Sequence, residues 1–412
     1  MEEEKLIIKG RIVDFPSRGE VREIREGYIV VDDKGKIVRI GAGMPTAQDE
    51  VVDYTGMLIL PGFVDIHSHI PQLDARGKYA KDLLDWLNRY IFREEKRFEE
   101  EAIAREVSGR FFEEVLRNGI TTVMALSTVH KRATDIAFQE AEKAGLRAII
   151  GKTMMDYNSP EFLKEDTDQA LKDSIELIEK WHGKDGRLFY ALTPRFAVTS
   201  TEELLRRTGE AARKYDVYIQ THLSESPGEV ELVEMMFPSY RSYTDLYYRT
   251  GILGPRSVMA HSIHLLDEEF ELLKKTETKV AHCPAANLFL HSGRMDLKKM
   301  KDFGITLGLG SDVGAGPYFS PFQLMRDMYY LNQLSPSEAF HYATLGGARA
   351  LSLDDKIGTL EAGKEADFVV IDPSDLYPAD ESIDEILSQL MFRGDDRQIR
   401  ATYVRGRRLY GK

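Results

Sequence analysis

The sequence predicts an α/β protein, a (β/α)8 barrel of the TIM type with a small β-domain built from both termini. Three observations support this prediction. Eight short runs rich in apolar and β-branched residues follow one another, and amphipathic helical patterns separate them. The series extends over about 250 to 300 residues, which suits a closed barrel better than an open doubly wound sheet. Alternation of strands and helices implies parallel strands joined by helical crossovers.

The eight predicted barrel strands are apolar runs that end in polar residues. In chain order they are "ILPGFVDIHSH", "ITTVMAL", "RAIIGKTMMD", "RLFYALTPRF", "VYIQTHLSE", "SVMAHSIHL", "KVAHCP" and "ITLGLGSD". Stretches such as "TDQALKDSIELIEKWH" and "STEELLRRTGEAARKY" between them have the spacing of amphipathic helices. We therefore expect a barrel over residues 58–358.

The two ends of the chain have the pattern of short hairpins. Near the start, "KLIIKGRIVDF" and "GYIVVDDKGKIVRIGAG" alternate in hydrophobicity, and "DDKG" is a turn signal. Near the end, "ADFVVIDP" and "ATYVRGRRLYGK" are similar. Together the segments 1–57 and 359–412 predict one composite β-domain.

Composition excludes several classes of protein. The chain has 412 residues, a net charge of −13 and no basic block, which argues against a nucleic-acid partner. No apolar run reaches membrane-spanning length, and "MEEEKLIIKG" lacks the pattern of a signal peptide. The single cysteine, Cys283, allows no internal disulfide and no cysteine-based zinc cluster. We expect a cytoplasmic protein, and the abundance of Glu, Lys and Arg in its helical segments fits a heat-adapted one.

Polar residues cluster where the predicted strands end. His67 and His69 share one face of a strand because side chains alternate along it. A lone buried histidine is usually a satisfied core residue, but two on one inward face suggest a metal ion. The other strand ends carry polar residues as well: Asp156, Arg195, His222, Glu225, His261, His282 and Asp312. Barrel active sites form at this rim, so we expect the site there.

Four of these residues have the chemistry of a metal site. The first and eighth strands of a closed barrel are neighbours, which brings His67 and His69 close to Asp312. His222, from the fifth strand, can reach them across the lumen. Three imidazoles and one carboxylate suit Zn²⁺ with a position left open for water, and Fe²⁺ is a reasonable substitute. The fourth strand has no lysine for a bridging carbamate, so we expect one ion per chain.

Two further residues are candidates for proton transfer and substrate contact. Glu225 follows His222 by three residues and can reach activated water if the chain turns inward; alone it would be an ordinary solvated glutamate. His261 ends the sixth strand and can contact the attacking oxygen or the substrate. His264 and His282 have no assigned role. "GLGSDVGAG" fits neither a dinucleotide fingerprint nor a Walker loop.

The motifs together resemble the amidohydrolase superfamily and, within it, the guanine deaminase family. The superfamily likeness rests on "PGFVDIHSH", "THLSE", "AHSIHL", "AHCPAANLFLHSG" and "GLGSDVGAG". The closer likeness rests on "HSHIPQ", "LLDWLNRYIFREEKRF", "GKTMMDYN", "LTPRFAVT", "FPSYRSYTDLYYRTGIL" and "FRGDDRQIRATYVRG". It extends from about Ile59 to the C-terminus.

The resemblance implies a role for each matching residue. The metal-binding pattern falls on His67, His69, His222 and Asp312, and the catalytic group comprises Glu225, His261 and Asp312. The purine contacts are expected from Gln72, Arg195 and Phe196, together with His69, His222, His261 and Asp312. Arginine offers fixed donors to a carbonyl such as O6, and glutamine offers a donor and an acceptor. The implied reaction is hydrolysis of guanine to xanthine and ammonia, with zinc-activated water attacking C2 and Glu225 carrying the proton.

Other interpretations remain open at the level of sequence. The same metal core serves superfamily deaminases and hydrolases of adenosine-type thioether nucleosides, triazines and related heterocycles. A non-catalytic scaffold on the same barrel would be expected to lose ligands, and here the ligand set is complete. The resemblance also implies a homodimer. The aromatic segment "YRSYTDLYYRTGIL" is a candidate interface and equally a core-packing helix.

Overall fold

The computed structural model describes residues 6–43, 50–376 and 381–412. These residues form two compact units. One contains the described residues of Met1–Asp65, Glu113–Thr122 and Phe319–Lys412, and the other contains Ile66–Phe112 and Val123–Tyr318. The domain division at residues 58 and 358 stays a prediction.

The barrel strands carry the candidate site. They are β5 (Phe63–His69), β6 (Ile120–Leu126), β7 (Arg147–Gly151), β8 (Thr153–Met154), β9 (Leu188–Pro194), β10 (Tyr218–Leu223), β11 (Ser257–His261), β12 (Lys279–His282) and β13 (Leu307–Leu309). Their order is β5-β6-β7-β9-β10-β11-β12-β13, and β8 continues the third predicted strand beside β9. The pairs from β7 to β13 are parallel. The prediction of an eight-stranded barrel is confirmed.

Backbone hydrogen bonds bring the first and last strands together at the rim. The amide of Asp312 donates to the carbonyl of His67 over 2.9 Å, and the amide of His69 donates to the carbonyl of Val313 over 2.9 Å. The loop after β13 therefore lies directly beside the end of β5, which makes the barrel nearly closed. This contact holds Asp312 next to the paired histidines.

The strands are buried on both faces because a barrel strand is covered on both sides. Every residue of β5, β6 and β7 is buried, as expected for parallel strands packed between lumen and helices. The predicted first strand, however, divides at Gly62, where β4 ends at Pro61. A Cβ atom on Gly62 would lie 2.2 Å from Oγ1 of Thr121, so only glycine fits.

Fifteen α-helices are present in the described part of the chain. They are α1 (Leu83–Trp86), α2 (Phe92–Arg97), α3 (Glu101–Arg117), α4 (Lys131–Ala144), α5 (Thr167–Trp181), α6 (Glu202–Tyr215), α7 (Pro227–Met236), α8 (Tyr243–Thr250), α9 (Asp267–Lys275), α10 (Pro284–Phe289), α11 (Leu297–Phe303), α12 (Pro321–Asn332), α13 (Pro336–His341), α14 (Gly347–Ala350) and α15 (Ile383–Arg393). A π-helical turn, Leu87–Ile91, joins α1 to α2. Among the described helices, none has both the length and the apolarity that a bilayer crossing requires.

The two ends of the chain form a separate seven-stranded sheet. Its strands are β1 (Leu6–Asp14), β2 (Arg22–Val31), β3 (Ile37–Ala42), β4 (Glu50–Pro61), β14 (Phe368–Ile371), β15 (Ile399–Val404) and β16 (Arg407–Gly411). The predicted hairpins pair as β1–β2, β2–β3 and β15–β16. Strand β4 was not predicted in this sheet. It pairs parallel with β1 and antiparallel with β14, and so joins the N-terminal strands to the C-terminal ones.

Candidate active site

The structure brings the four predicted metal ligands together at the C-terminal rim of the barrel. His67 and His69 lie at the end of β5, His222 is the next-to-last residue of β10, and Asp312 follows β13. All four side chains are buried. Each lies at or just after the C-terminal end of a barrel strand, and these ends surround one space, as expected for a barrel site.

The distances among these ligand atoms fit one shared cation. Nε2 of His69 lies 3.3 Å from Nε2 of His67, 3.3 Å from Nε2 of His222 and 3.1 Å from Oδ1 of Asp312. A single N–H cannot donate to three atoms at once. Atoms that bind one tetrahedral zinc ion at its usual bond lengths lie about 3.3 Å apart. The donor set therefore has both the chemistry and the spacing of a metal site.

The tautomer of His222 supports the same assignment. Its Nδ1 lies 2.7 Å from the carbonyl oxygen of Arg195, which can only accept, so Nδ1 carries the hydrogen. Burial, followed by the neighbouring histidines, holds the pKa of His222 well below its ordinary value. The ring is therefore neutral, and its Nε2 presents a lone pair to the shared volume.

His261 lies beside the cluster and offers an alternative grouping. The ligand atoms of His67, His222, His261 and Asp312 all lie within 4.8 Å of one another. The closest contacts, however, are those of His69, at 3.1 to 3.3 Å. His261 faces the other carboxylate oxygen, with its Nε2 3.7 Å from Oδ2 of Asp312. His69 therefore stays among the candidate ligands, and His261 lies next to them.

Glu225 faces the cluster from the turn after β10. Its backbone amide donates to Oε2 of Glu229 over 2.8 Å, and the same glutamate forms the capping box with Ser226 at the start of α7. This cap turns the chain inward and aims the side chain of Glu225 at the site. Oε2 of Glu225 lies 3.5 Å from Nε2 of His261, and Oε1 accepts a hydrogen bond of 3.1 Å from Ser292.

The surroundings of Glu225 favour its protonated form. Burial, followed by the nearby Asp312, raises the pKa of Glu225 to about 8 against the opposing effect of the hydrogen bond from Ser292. A cation in the cluster would also lower it, because it stabilises the ionised carboxylate. A carboxyl group whose pKa lies near neutrality can both accept and return a proton.

We expect Ser292→Ala to move the acid limb of the pH profile of kcat/KM to higher pH. A base must be ionised to accept a proton, and loss of the Ser292 hydroxyl removes a donor that stabilises ionised Glu225. The expected shift is about one pH unit. Ser174→Ala, which removes a buried hydroxyl from α5, is the matched control. An unchanged limb in the Ser292 variant would show that this hydrogen bond does not tune Glu225.

His261 is oriented from behind by Asn287. Nδ1 of His261 lies 2.9 Å from Oδ1 of Asn287, an acceptor, so Nδ1 carries a hydrogen. His261 itself has φ = 69°, an uncommon backbone conformation for a residue with a side chain. Such strain is frequent where a side chain must point into an active site. Nε2 of His261 is thereby aimed between Glu225 and Asp312.

A cavity of about 350 Å³ opens beside these groups. One part of its wall is polar and the other is apolar. The polar residues are His69, Gln72, Arg195, His222, Glu225 and Asp312, and the apolar ones are Leu83, Trp86, Leu87, Phe196, Leu290 and Ala315. The combination of an apolar wall with a few fixed polar groups is typical of a site for a small planar ligand.

Six of the seven predicted purine contacts line this cavity, and His261 is not among its lining residues. Arg195 follows β9 directly, and Phe196 lies next to it with its ring centre 6.3 Å from that of His222. Gln72 lies in the short helix after β5, where its carbonyl oxygen accepts a 3.3 Å hydrogen bond from the amide of Gly314. These residues are therefore placed to contact a ligand that also reaches Glu225.

Sequence reasoning missed Glu95, which lies behind two of these contacts. Nη1 of Arg195 donates to Oε1 of Glu95 over 2.5 Å, and the amide nitrogen of Gln72 lies 3.5 Å from the same oxygen. Glu95 was part of "FREEKRF", which has the composition of a solvated helix face. A signal was present, because Glu95 is four residues after Ile91 and three before Phe98, on the apolar face.

Several other strand-end and histidine residues lie outside the cavity wall. Asp156 caps a turn instead, accepting hydrogen bonds from the backbone amide and the hydroxyl of Thr201. His264 does not line the cavity, and its Nε2 lies 2.7 Å from the carbonyl oxygen of Ser292. His282 is buried at the end of β12 and does not line the cavity.

The aromatic segment proposed as an interface contributes to the core. The hydroxyls of Tyr243 and Tyr247 both donate to the carbonyl oxygen of His222, and both side chains are buried. These contacts match the core-packing interpretation of the segment for these two residues. The homodimer stays a prediction.

Comparison with known proteins agrees with this geometry. A family model described as the Amidohydrolase family matches residues 58–409. A guanine deaminase from Escherichia coli is 40% identical over 419 residues, which cover 97% of this chain and 95% of that protein. The crystal structure of guanine deaminase from C. acetobutylicum with bound guanine in the active site has a TM-score of 0.94 at 33% identity. That match covers 98% of this chain and 100% of the other.

A more distant solved structure has a different printed substrate. It is an adenosine deaminase from Xanthomonas campestris with bound zinc, with a TM-score of 0.85 at 25% identity, covering 98% of this chain and 92% of that one. The higher identities, over almost the whole chain, are those to the guanine deaminases. The chain therefore belongs to the amidohydrolase superfamily and, within it, to the guanine deaminase family of hydrolases.

Proposed function

We propose that this chain catalyses the hydrolytic deamination of guanine to xanthine and ammonia, with one divalent cation bound per chain. The observation that carries the proposal is the convergence of a metal-ligand cluster, a buried carboxyl group and fixed purine-type contacts on one cavity. The guanine deaminase family, and a relative whose structure has guanine bound in the active site, support the same substrate.

His67, His69, His222 and Asp312 would hold the cation. Zinc fits three imidazoles and one carboxylate, the related adenosine deaminase has bound zinc, and Fe²⁺ suits the same donors. When bound, such a cation acts as a Lewis acid that makes water a nucleophile at neutral pH. The ligand residues are already oriented for it, because His222 is fixed by the carbonyl of Arg195.

Glu225 is the proton carrier in this proposal. Its carboxylate accepts a proton from the attacking water, whose oxygen forms a bond to C2 of guanine. The same carboxyl group gives this proton to a ring nitrogen. It then accepts the remaining proton of the oxygen now bound to C2 and gives it to the exocyclic amine, so that the C2–N bond breaks, ammonia leaves and that oxygen becomes the C2 oxo group. The groups that face Glu225, namely Ser292 on Oε1 and His261 near Oε2, keep it in reach of both partners.

His261 and Asp312 hold the reacting centre. His261 points its Nε2 between Glu225 and Asp312, where it could hydrogen-bond an oxygen bound to C2. Asp312 presents one oxygen to His67 and His69 and the other to His261. The two residues thus orient the attacking oxygen toward the purine.

Arg195, Gln72 and Phe196 bind the purine. Arg195 has five N–H groups and one of its nitrogens is bound to Glu95, so donors remain for O6. Gln72 lies beside it with its amide fixed by Gly314, and Phe196 offers a flat apolar surface for the ring.

Arg195→Ala is expected to raise the KM for guanine and to lower kcat/KM by about tenfold to 150-fold. The estimate corresponds to the roughly 1.5 to 3 kcal/mol of a hydrogen bond from a charged group. Steady-state kinetics with guanine measure it, and Arg206→Ala, at an exposed position of α6, is the control. Unchanged guanine kinetics would place Arg195 outside the binding site.

Absorbance during incubation of the metal-replete protein with guanine tests the proposed function. Chromatography should identify xanthine as the product, with one ammonia released for each guanine consumed. A parallel panel with an adenosine-type thioether nucleoside and a triazine separates the other superfamily activities. If metal-replete protein leaves guanine unchanged, the proposed function is wrong.

A further inference from the structure

Glu95 makes the innermost polar contact behind the purine-binding residues. It is 0% exposed and its partner Arg195 is 2% exposed, so the pair lies in a region of low dielectric constant. Oε1 of Glu95 accepts from Nη1 of Arg195 over 2.5 Å and faces the amide nitrogen of Gln72 at 3.5 Å. Glu95 itself does not line the cavity. It therefore acts on a ligand only through these two side chains.

The first consequence is a fixed orientation for both contacts. A carboxylate only accepts hydrogen bonds, whereas the backbone amide of Gly314 only donates. Gln72 lies between them, with its amide nitrogen toward Glu95 and its oxygen toward Gly314. If the Gln72 amide rotated by 180°, its oxygen would face the Glu95 carboxylate and the two would repel. Glu95 thereby fixes which atoms Gln72 presents to a ligand.

The second consequence is electrostatic. Arg195 is a charged group on the cavity wall, and its ion-pair partner Glu95 lies behind it, away from the cavity. Because both side chains are buried, water does little to screen the charge of Arg195. Loss of the Glu95 carboxylate would therefore leave that positive charge uncompensated next to a bound ligand.

We propose that Glu95 is a positioning residue that orients Arg195 and Gln72 and cancels the charge of Arg195, so that the cavity binds a neutral 6-oxopurine and disfavours its anion. This inference rests on the proposed deamination of guanine. Xanthine is a stronger acid than guanine, because an oxo group has replaced the amine at C2. With the charge of Arg195 cancelled, a buried anion has no free positive partner there and is costly to desolvate. The site therefore favours the neutral substrate over the ionised product and helps product leave at alkaline pH.

Xanthine inhibition of the holoenzyme as a function of pH tests the proposal without any variant. We expect the inhibition constant of xanthine for the wild-type enzyme to rise as xanthine ionises. Inhibition that stays constant or becomes tighter as the anion forms would overturn the proposal. Because the measurement uses the unaltered enzyme, it does not depend on the folding of a variant.

Two variants of Glu95 then separate the effect of its charge from its effect on the positions of Arg195 and Gln72. In Glu95→Gln, which keeps an acceptor for Arg195, the anion should bind about tenfold more tightly relative to wild type, and the KM for guanine should rise more than kcat falls. Glu95→Asp keeps the charge, so it should retain wild-type rejection of the anion while its KM rises. Glu99→Gln, at an exposed glutamate just beyond α2, is the matched control. Equal pH dependence in wild type and Glu95→Gln would show that Glu95 does not set the charge preference.

Failure of this inference is distinguishable from failure of the proposed function. If the wild-type enzyme releases ammonia from guanine but its inhibition constant for xanthine does not rise as xanthine ionises, only the role of Glu95 is wrong. If it leaves guanine unchanged, the proposed function fails and the assignment of Glu95 to purine binding fails with it.

Discussion

Replacing Glu225 with glutamine is expected to lower kcat for guanine by about 10² to 10⁴-fold, the usual contribution of a general acid–base group. Glutamine has nearly the same shape but cannot accept the proton of the attacking water or return it to the leaving amine. The hydrogen bond from Ser292 can persist to its carbonyl oxygen, so the geometry of the site should remain. Steady-state kinetics at saturating guanine measure the effect.

The metal content of the variant distinguishes loss of proton transfer from loss of metal binding. Because Glu225 lies beside the ligand cluster and not within it, the Gln variant should retain metal near the wild-type level. Glu140→Gln, at a buried ion-paired glutamate of α4, is the matched control and should keep normal turnover. Near-normal turnover in Glu225→Gln would remove Glu225 from its proposed role.

Replacing His67 with alanine is expected to remove both metal and activity. Nε2 of His67 lies 3.3 Å from the nearest atoms of His69 and Asp312, so its loss opens one side of the donor cluster. Since a catalytic metal supplies several kcal/mol of charge stabilisation, turnover should fall by about three orders of magnitude. Elemental analysis of the purified protein and kcat for guanine are the measurements.

A histidine outside the cluster provides the control for this experiment. His291 is exposed, and His291→Ala should retain both metal and turnover. A stoichiometric metal ion in the His67 variant would contradict the assignment of His67 as a ligand. Activity restored by excess added zinc would instead indicate weakened binding by the three remaining ligands.

Much of the candidate site was predictable because the barrel imposes a rule on strand ends. His67 and His69 are separated by one residue, so the period of a strand places them on one face, and the C-terminal rim brings them near Asp312. The same rule selected Asp156, whose carboxylate instead caps the turn at Thr201. A strand-end position alone does not fix the direction in which the next side chain points.

Glu95 was not predictable from local pattern in the same way. Its partner Arg195 is 100 positions away in the chain, and the charged residues around Glu95 dominate the composition of the segment. Strand β4 was missed for a related reason. The run from Met57 to Val64 is apolar and gives no sign of a break. The division between two sheets appears only in the backbone pairing, because the amide of Gly62 donates to Asp367 whereas that of Phe63 donates to Gly119.

The segment that follows β12 supports both groups that handle protons. Asn287 orients His261, Ser292 contacts Glu225, and the amide of Ser292 donates to the carbonyl of Asn287 over 3.0 Å. One short backbone segment thus supports both His261 and Glu225. A substitution at Asn287 or Ser292 therefore also shifts the other residue, and the losses of catalytic activity from the two substitutions will not be additive.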